Sequence, residues 1–532
     1  MFDFKGLINA LLRKTSDDPV GDLKSATIWV QELPQNDVYQ AHKEIVKALG
    51  GLNRNADTSL KERIRVLLYL DEKATSLQET LCREFLAAAD TPDNSARQRL
   101  PTILQFWEEM GAGYEQCIRT FAKNPGNAKI REQLPLLTAK ALHFHAMQAK
   151  WSHMRYLPVE SHVWRRLHRL FLFAEQEKIE RVPVRLHPEQ DDTSCTSEYL
   201  QPMMLHLSNP ASLRPSQIES VDLWLDSWSK SLVIEADFRP HRQLYAVNLG
   251  DTKPARKLRR NMLGEKYRYW GIELMLVVIA KTVEQLKQGE LPARLKLGED
   301  CRLPACLELI EEVSERWSGQ LTTRKHARIT AEKSLLVLQD FANILIHLQG
   351  GKKSGVTATF SVENTNTQTA LKPSGEPELF ESGAQQWQVE NESLSGYGVT
   401  FTRSDKEPLK IGTLVGLKGA IGKSFAIGIV RRISNEPPLK VHAGIQTLSQ
   451  TAIVVELHPL PGELGAPSLA IYLPELPKLE LGRSLLLSAS AHVPARLVQL
   501  KAQGKTYTIR LHAAVEHGPD YVQAGFDVVA KG

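Results

Sequence analysis

Cysteine is scarce in this 532-residue chain: Cys82, Cys117, Cys195, Cys301 and Cys306 are odd in number, scattered, and without C-x-x-C spacing. That argues against a disulfide framework or a thiolate zinc site and for reduced thiols in a cytoplasmic protein. Long apolar runs are missing too. The longest, near 274–280, is far below the roughly 20 residues that cross a bilayer. The opening Met1-Phe2-Asp3-Phe4-Lys5 carries an acid early, and the apolar run at 7–12 is short and has no cleavage pattern, so no secretory leader is expected. Excess charge is slight, 66 basic against 61 acidic side chains for a net charge of +5. Any basic site must therefore be local, and bulk charge does not call for a nucleic-acid partner.

What is present is an ordinary globular composition, 42% apolar and 24% charged, in a chain too long for one core; about two or three domains are expected. Residues 1–318 read as an all-helical domain. Ser59-x-x-Glu62 and Ser76-x-x-Glu79 have the form of capping boxes, each followed by apolar residues at three and four spacings, which predicts a helix start at both. The same grammar runs through 103–110, 134–151, 163–177, 272–286 and 305–317, and Pro215 opens a further helix. His143, His145 and His153 lie close in sequence, but i, i+2 positions do not share a helix face and no carboxylate has ligand spacing, so no metal is assigned. Trp151, Trp164, Arg165, Arg166 and His168 read as core rings with paired cations. The dense run Lys253, Arg256, Lys257, Arg259, Arg260, Lys266 and Arg268 reads as a solvated helix face.

From about 319 the period shortens to that of strands, with alternation in 425–430, 441–445, 507–511 and 522–528 and proline punctuation at Pro459, Pro461, Pro467, Pro474 and Pro477. One decoy lies within. Gly419-Ala420-Ile421-Gly422-Lys423-Ser424 ends like a phosphate-binding loop, but its first glycine would fall at Leu417 and a strand rather than a helix follows, which removes the amide cradle. No nucleophile, base and orienting acid, no paired carboxylates and no cofactor loop emerge. Catalytic residues are therefore not assigned, and a non-enzymatic role is expected.

Two motifs stand where the helical pattern gives way to strands: R-x-x-x-R at Arg324 and Arg328, and N-x-S-x-x-G at Asn391, Ser393 and Gly396, the latter running into Tyr397-Gly398-Val399-Thr400-Phe401. Singly, each is common. Arg165 with Arg169 and Arg256 with Arg260 repeat the first, and the second has the composition of an ordinary turn. In this order, ahead of a strand-patterned domain, they resemble the PilZ family of cyclic di-GMP receptors. Val430-Arg431-Arg432 followed by a Gly-Ile strand is similar to the final strands of that barrel. The resemblance covers 324–450 and implies a barrel in which Arg324 and Arg328 clamp or stack on the dinucleotide, Asn391 and Ser393 read guanine edges, and Gly396 permits the turn. Unlike the family's usual short connection, a polar insertion at 350–386 separates the motifs.

The side chains suit such a ligand. Two phosphates want a guanidinium fork, guanine offers a face for stacking and an O6/N7 edge for bidentate pairing, and Asn and Ser hold a turn while presenting polar groups. The expected organisation is therefore multidomain α+β: helical domain 1–318, PilZ-like antiparallel β-barrel 319–450, and a further β unit 451–532 packed on it. The expected function is a cytoplasmic cyclic di-GMP receptor that couples capture to a helical domain with a protein partner. Two rivals remain: an adaptor whose barrel takes no ligand and which acts through protein contacts of the helical domain, and a nucleic-acid binder using 253–268, whose affinity would fall steeply with salt.

Overall fold

The computed structural model describes residues 19–34, 36–88, 94–319, 326–349, 383–403, 409–419, 425–463, 465–502 and 504–531. The chain forms two compact units, Met1–Leu321 and Thr322–Gly532.

The first unit is helical: α1 (Leu23–Gln31), α2 (Val38–Arg54), α3 (Leu60–Ala87), α4 (Asn94–Lys123), α5 (Ala128–Arg131), α6 (Leu134–Met154), α7 (Ser161–Glu177), α8 (Cys195–Leu207), α9 (Pro215–Trp228), α10 (Glu273–Lys287) and α11 (Ala305–Trp317). Most of the other helices bury one face, whereas α6 is buried nearly all round and carries its charges inward in pairs: Lys140 to Asp71 at 2.6 Å and Lys150 to Asp222 at 2.7 Å. Trp151 and Trp164 belong to the core, as read from sequence. Among the described residues no helix is long and apolar enough to cross a membrane.

Three expectations are corrected in this unit. Ser59 does cap α3, its Oγ accepting from the Glu62 amide at 3.3 Å, but Ser76 starts nothing and lies exposed on the same helix. The buried stripe Leu67, Leu70, Ala74, Gln78, Leu81 runs past it unbroken, with no Gly or Pro to stop the turn. The basic run 253–268 is not a helix face. It lies on a small antiparallel sheet, β2-β1-β3, of strands β1 (Tyr245–Asn248), β2 (Arg256–Lys257) and β3 (Tyr267–Trp270). There Arg268 grips both carboxylate oxygens of Glu175, at 2.7 and 2.8 Å. Finally, Cys301 and Cys306 are joined as a disulfide. The loop between them brings their Cα atoms to 5.1 Å, inside the range a disulfide spans, which C-x-x-C bookkeeping does not detect; Cys82, Cys117 and Cys195 are free.

The second unit holds two closed antiparallel barrels. Strands β4 (Ile329–Gln339), β5 (Gln385–Ser393), β6 (Gly396–Thr402), β7 (Leu414–Gly419), β8 (Ala426–Glu436) and β9 (Lys440–Ser449) form the first, in the order β4-β5-β6-β9-β8-β7, with α12 (Phe341–Leu348) after its first strand. Strands β10 (Ile453–His458), β11 (Ser468–Leu473), β12 (Ser484–Leu487), β13 (Leu497–Ala502), β14 (Lys505–His517) and β15 (Val522–Lys531) form the second, in the order β10-β11-β12-β15-β14-β13. By rank both orders are first, second, third, sixth, fifth, fourth. The second barrel therefore repeats the topology of the first, and closure leaves neither with a free edge. Inside the first, Trp387 is fully buried and stacks on Phe401 at 4.1 Å. Leu338, Leu414, Ile427 and Ile429 join α12 and Ile471, Leu473, Leu486 and Tyr521 in a shared core that docks the two barrels. Most of the polar insertion, 350–382, lies outside the described residues, as do 420–424 of the loop resembling a phosphate-binding motif. Strand β7 precedes that loop and β8 follows it.

Candidate functional site

The N-x-S-x-x-G motif is a β-hairpin. Ser393 closes β5 opposite Gly396, the first residue of β6, so Leu394 and Ser395 alone make the turn. Two-residue hairpins follow the twist of their strands, which explains the spacing. Ser393 Oγ meets Ser395 Oγ at 3.2 Å and donates to the Gly396 carbonyl at 3.4 Å, and the Ser395 carbonyl accepts from the Thr447 amide at 3.0 Å. Glycine is required at 396: a Cβ there would sit 1.9 Å from the Ile445 carbonyl oxygen.

One irregularity in β5 sets the face. The register shifts between Val389 and Asn391, leaving Glu390 as the extra residue, and such a bulge re-aims the side chains beyond it. Asn391 then pairs with Gly398, Gly398 with Gly444 and Gly444 with Arg432, a row across β5, β6, β9 and β8. Two glycines in mid-row remove the side chains and leave a trough. A Cβ on Gly398 would lie 2.7 Å from the Asn391 amide, so Asn391 lies directly over it. Among the described residues, the buried Asn391 Oδ1 has no hydrogen-bond partner. A polar atom in that position costs free energy until a donor arrives.

The cavity encloses about 600 Å³, within the span of small-molecule sites. Four of the five residues singled out in the sequence line it together: Arg328, Asn391, Ser393 and Gly396. Arg324 lies outside the described residues. Among the residues that the motifs did not select, Arg431, Arg432 and His442 also line it. Arg328 and Arg432 are exposed. His442 bridges Glu390, at 3.1 Å, and Glu436, at 3.0 Å. The hydrogen bond from His442, with Lys440 nearby, holds the Glu436 carboxyl below the usual range. Arg431 is paired with Glu516; with Arg328 and Arg432 against Glu390, the one carboxylate among the lining residues described, the trough favours an anion, and a planar one can use the guanidinium faces as well as their forks. The available signal was alternation, and it reaches only His442, which sits between buried neighbours on its strand; Arg432 follows the half-buried Arg431 behind an unbroken buried run at 426–430.

Elsewhere, the imidazole groups of α6 are engaged structurally, His143 with Glu198 at 3.1 Å and His145 facing Glu115 at 3.5 Å. Among the described residues no group of three or more metal-ligating side chains is placed to hold an ion.

Fold and site thus define a class: a helical unit followed by antiparallel barrels, the first bearing an arginine-lined trough around a glycine-floored hairpin. Residues 24–240 match the family described as "Cyclic-di-GMP receptor FimW, N-terminal domain". Over 493 residues, 81% of this chain and 77% of the relative, the protein is 22% identical to the Cyclic-di-GMP receptor FimW of Pseudomonas aeruginosa. Both findings fit the resemblance drawn from the sequence, a cyclic di-GMP receptor with a large N-terminal helical domain. No solved structure matches the chain.

Proposed function

We propose that this protein is a cyclic di-GMP receptor that takes the dinucleotide in the trough of the first barrel. The observation carrying the reading is the convergence of Arg328, Asn391, Ser393 and Gly396 on one cavity, with the Asn391 Oδ1 buried there and lacking a partner. Guanine N–H groups supply the donor that atom lacks. Arg328, with Arg324 from the same motif, clamps phosphate or stacks on a base, Arg432 faces a phosphate from the far end of the row, and Ser393 holds the hairpin. The similarity to a cyclic di-GMP receptor supports the same ligand. In this reading the protein acts as a receptor rather than an enzyme, in the cytoplasm, through a protein partner of its helical unit. Because R-x-x-x-R follows directly on the junction between units, after Leu321, ligand capture restrains that connecting segment. This becomes a signal only where the two states bind ligand unequally.

Calorimetric titration of the whole chain tests this, with GTP as control. A dissociation constant of order micromolar or tighter, about 8 kcal/mol or more, is expected for cyclic di-GMP. It weakens at least about tenfold in Arg328→Ala and in Asn391→Ala. A folded protein giving neither heat nor thermal shift with cyclic di-GMP contradicts the proposal and leaves the adaptor that takes no ligand.

A further inference from the structure

Arg431 enters the trough under restraint from the other barrel. It is the extra residue of a bulge in β8, between Val430 and Arg432. Its Nη1 and Nη2 donate to Oε1 and Oε2 of Glu516 at 2.5 Å each, and its Nε donates to Gln446 Oε1 at 2.8 Å. Glu516 belongs to β14 and sits at a bulge of its own, after Ala514. β14 has the same rank in its barrel as β8 has in the first, so the pair joins equivalent strands of the two repeats.

An apolar core docks the second barrel, to which Glu516 belongs, against the first. In the second barrel, Ile471 of β11 pairs with Leu486 of β12, and both are buried against the first barrel. In the first barrel the strands of that rank, β5 and β6, carry Asn391 opposite Gly398 and form the trough. The strands that bear the trough in one repeat thus correspond by rank to strands used for docking in the other.

We infer that the second barrel is part of the ligand site: Glu516 is a positioning residue that holds Arg431 with its guanidinium plane turned to a purine base. This rests on the function proposed above. A guanidinium bound bidentately end-on, with Nε–H also taken, has its charge compensated and its plane fixed. It is therefore a stacking platform rather than a phosphate clamp, and the charge for the phosphates comes from Arg328 and Arg432.

The test is a double-mutant cycle on the full chain, titrated calorimetrically with cyclic di-GMP: Glu516→Gln, Arg431→Lys, and both together, each checked for an unchanged fold by thermal unfolding without ligand. Glu516→Gln and Arg431→Lys are each expected to weaken binding about tenfold, and the double variant to be no weaker than Arg431→Lys alone. A merely structural contribution from Glu516 would instead add its own loss on top. Binding by Glu516→Gln as tight as, or tighter than, that of the unaltered chain, or losses that add, overturns this inference and leaves the proposed function standing. No binding by the unaltered chain overturns both.

Discussion

His42 is fully buried beside Phe106, and His153 is nearly so beside His206. Burial pushes the His42 pKa down to about 4, against a smaller contribution from Gln78, and burial with the neighbouring His206 takes His153 to about 3. An unfolded histidine titrates near 6.5, so below that pH the unfolded chain binds more protons and folding loses about 1.4 kcal/mol per pH unit per residue until the folded pKa is reached. Denaturant unfolding of the helical unit, followed by tryptophan fluorescence, is expected to show stability falling from pH 7 to pH 5, with a shallower slope in His42→Gln. A flat profile contradicts the assignment. At the site, Gly396→Ala is expected to cost roughly 2–4 kcal/mol, because the added carbon meets backbone and not a flexible side chain. Gly419→Ala, with nothing within 4 Å of the added carbon, is expected to stay within about 0.5 kcal/mol. Thermal unfolding of the two variants side by side checks the contrast.

Among elements, α3 separates local signals that decide structure from those that do not. Ser59→Ala removes a working cap and is expected to cost about 1 kcal/mol, whereas Ser76→Ala, in mid-helix and exposed, is expected to be neutral or slightly stabilising. Chemical denaturation distinguishes them, and an equal loss in both would mean that the helix breaks at Ser76. Both positions carry the same local pattern; only the buried stripe from Leu67 to Leu81 tells them apart. The hairpin at Asn391–Gly396 was legible because its spacing is the turn itself, and so were most helices, whose period repeats within a few residues. The sheet at 245–270 was not, because dense Lys and Arg hide its short strands. Arg431 was missed for a different reason: it reaches the trough through a bulge and a partner, Glu516, 85 residues away, which no local pattern encodes. The disulfide Cys301–Cys306 likewise depends on how its loop closes.

At the scale of the molecule, strand order and closure are properties of long-range pairing, so the strand periodicity implied β structure without showing that β10–β15 repeat β4–β9. In the proposed function, the trough, the repeat and the apolar dock make the two-barrel unit one ligand-responsive body. Ligand at about a hundred times its dissociation constant is expected to stabilise that body by about 2.7 kcal/mol, visible as a raised thermal midpoint. The most direct test of the central claim is amide hydrogen exchange of the full chain with and without cyclic di-GMP. Slowed exchange is expected, concentrated in 390–398 and 430–446, the hairpin and the two strands that complete the trough. Unchanged exchange in both segments, with protection elsewhere or nowhere, would contradict it.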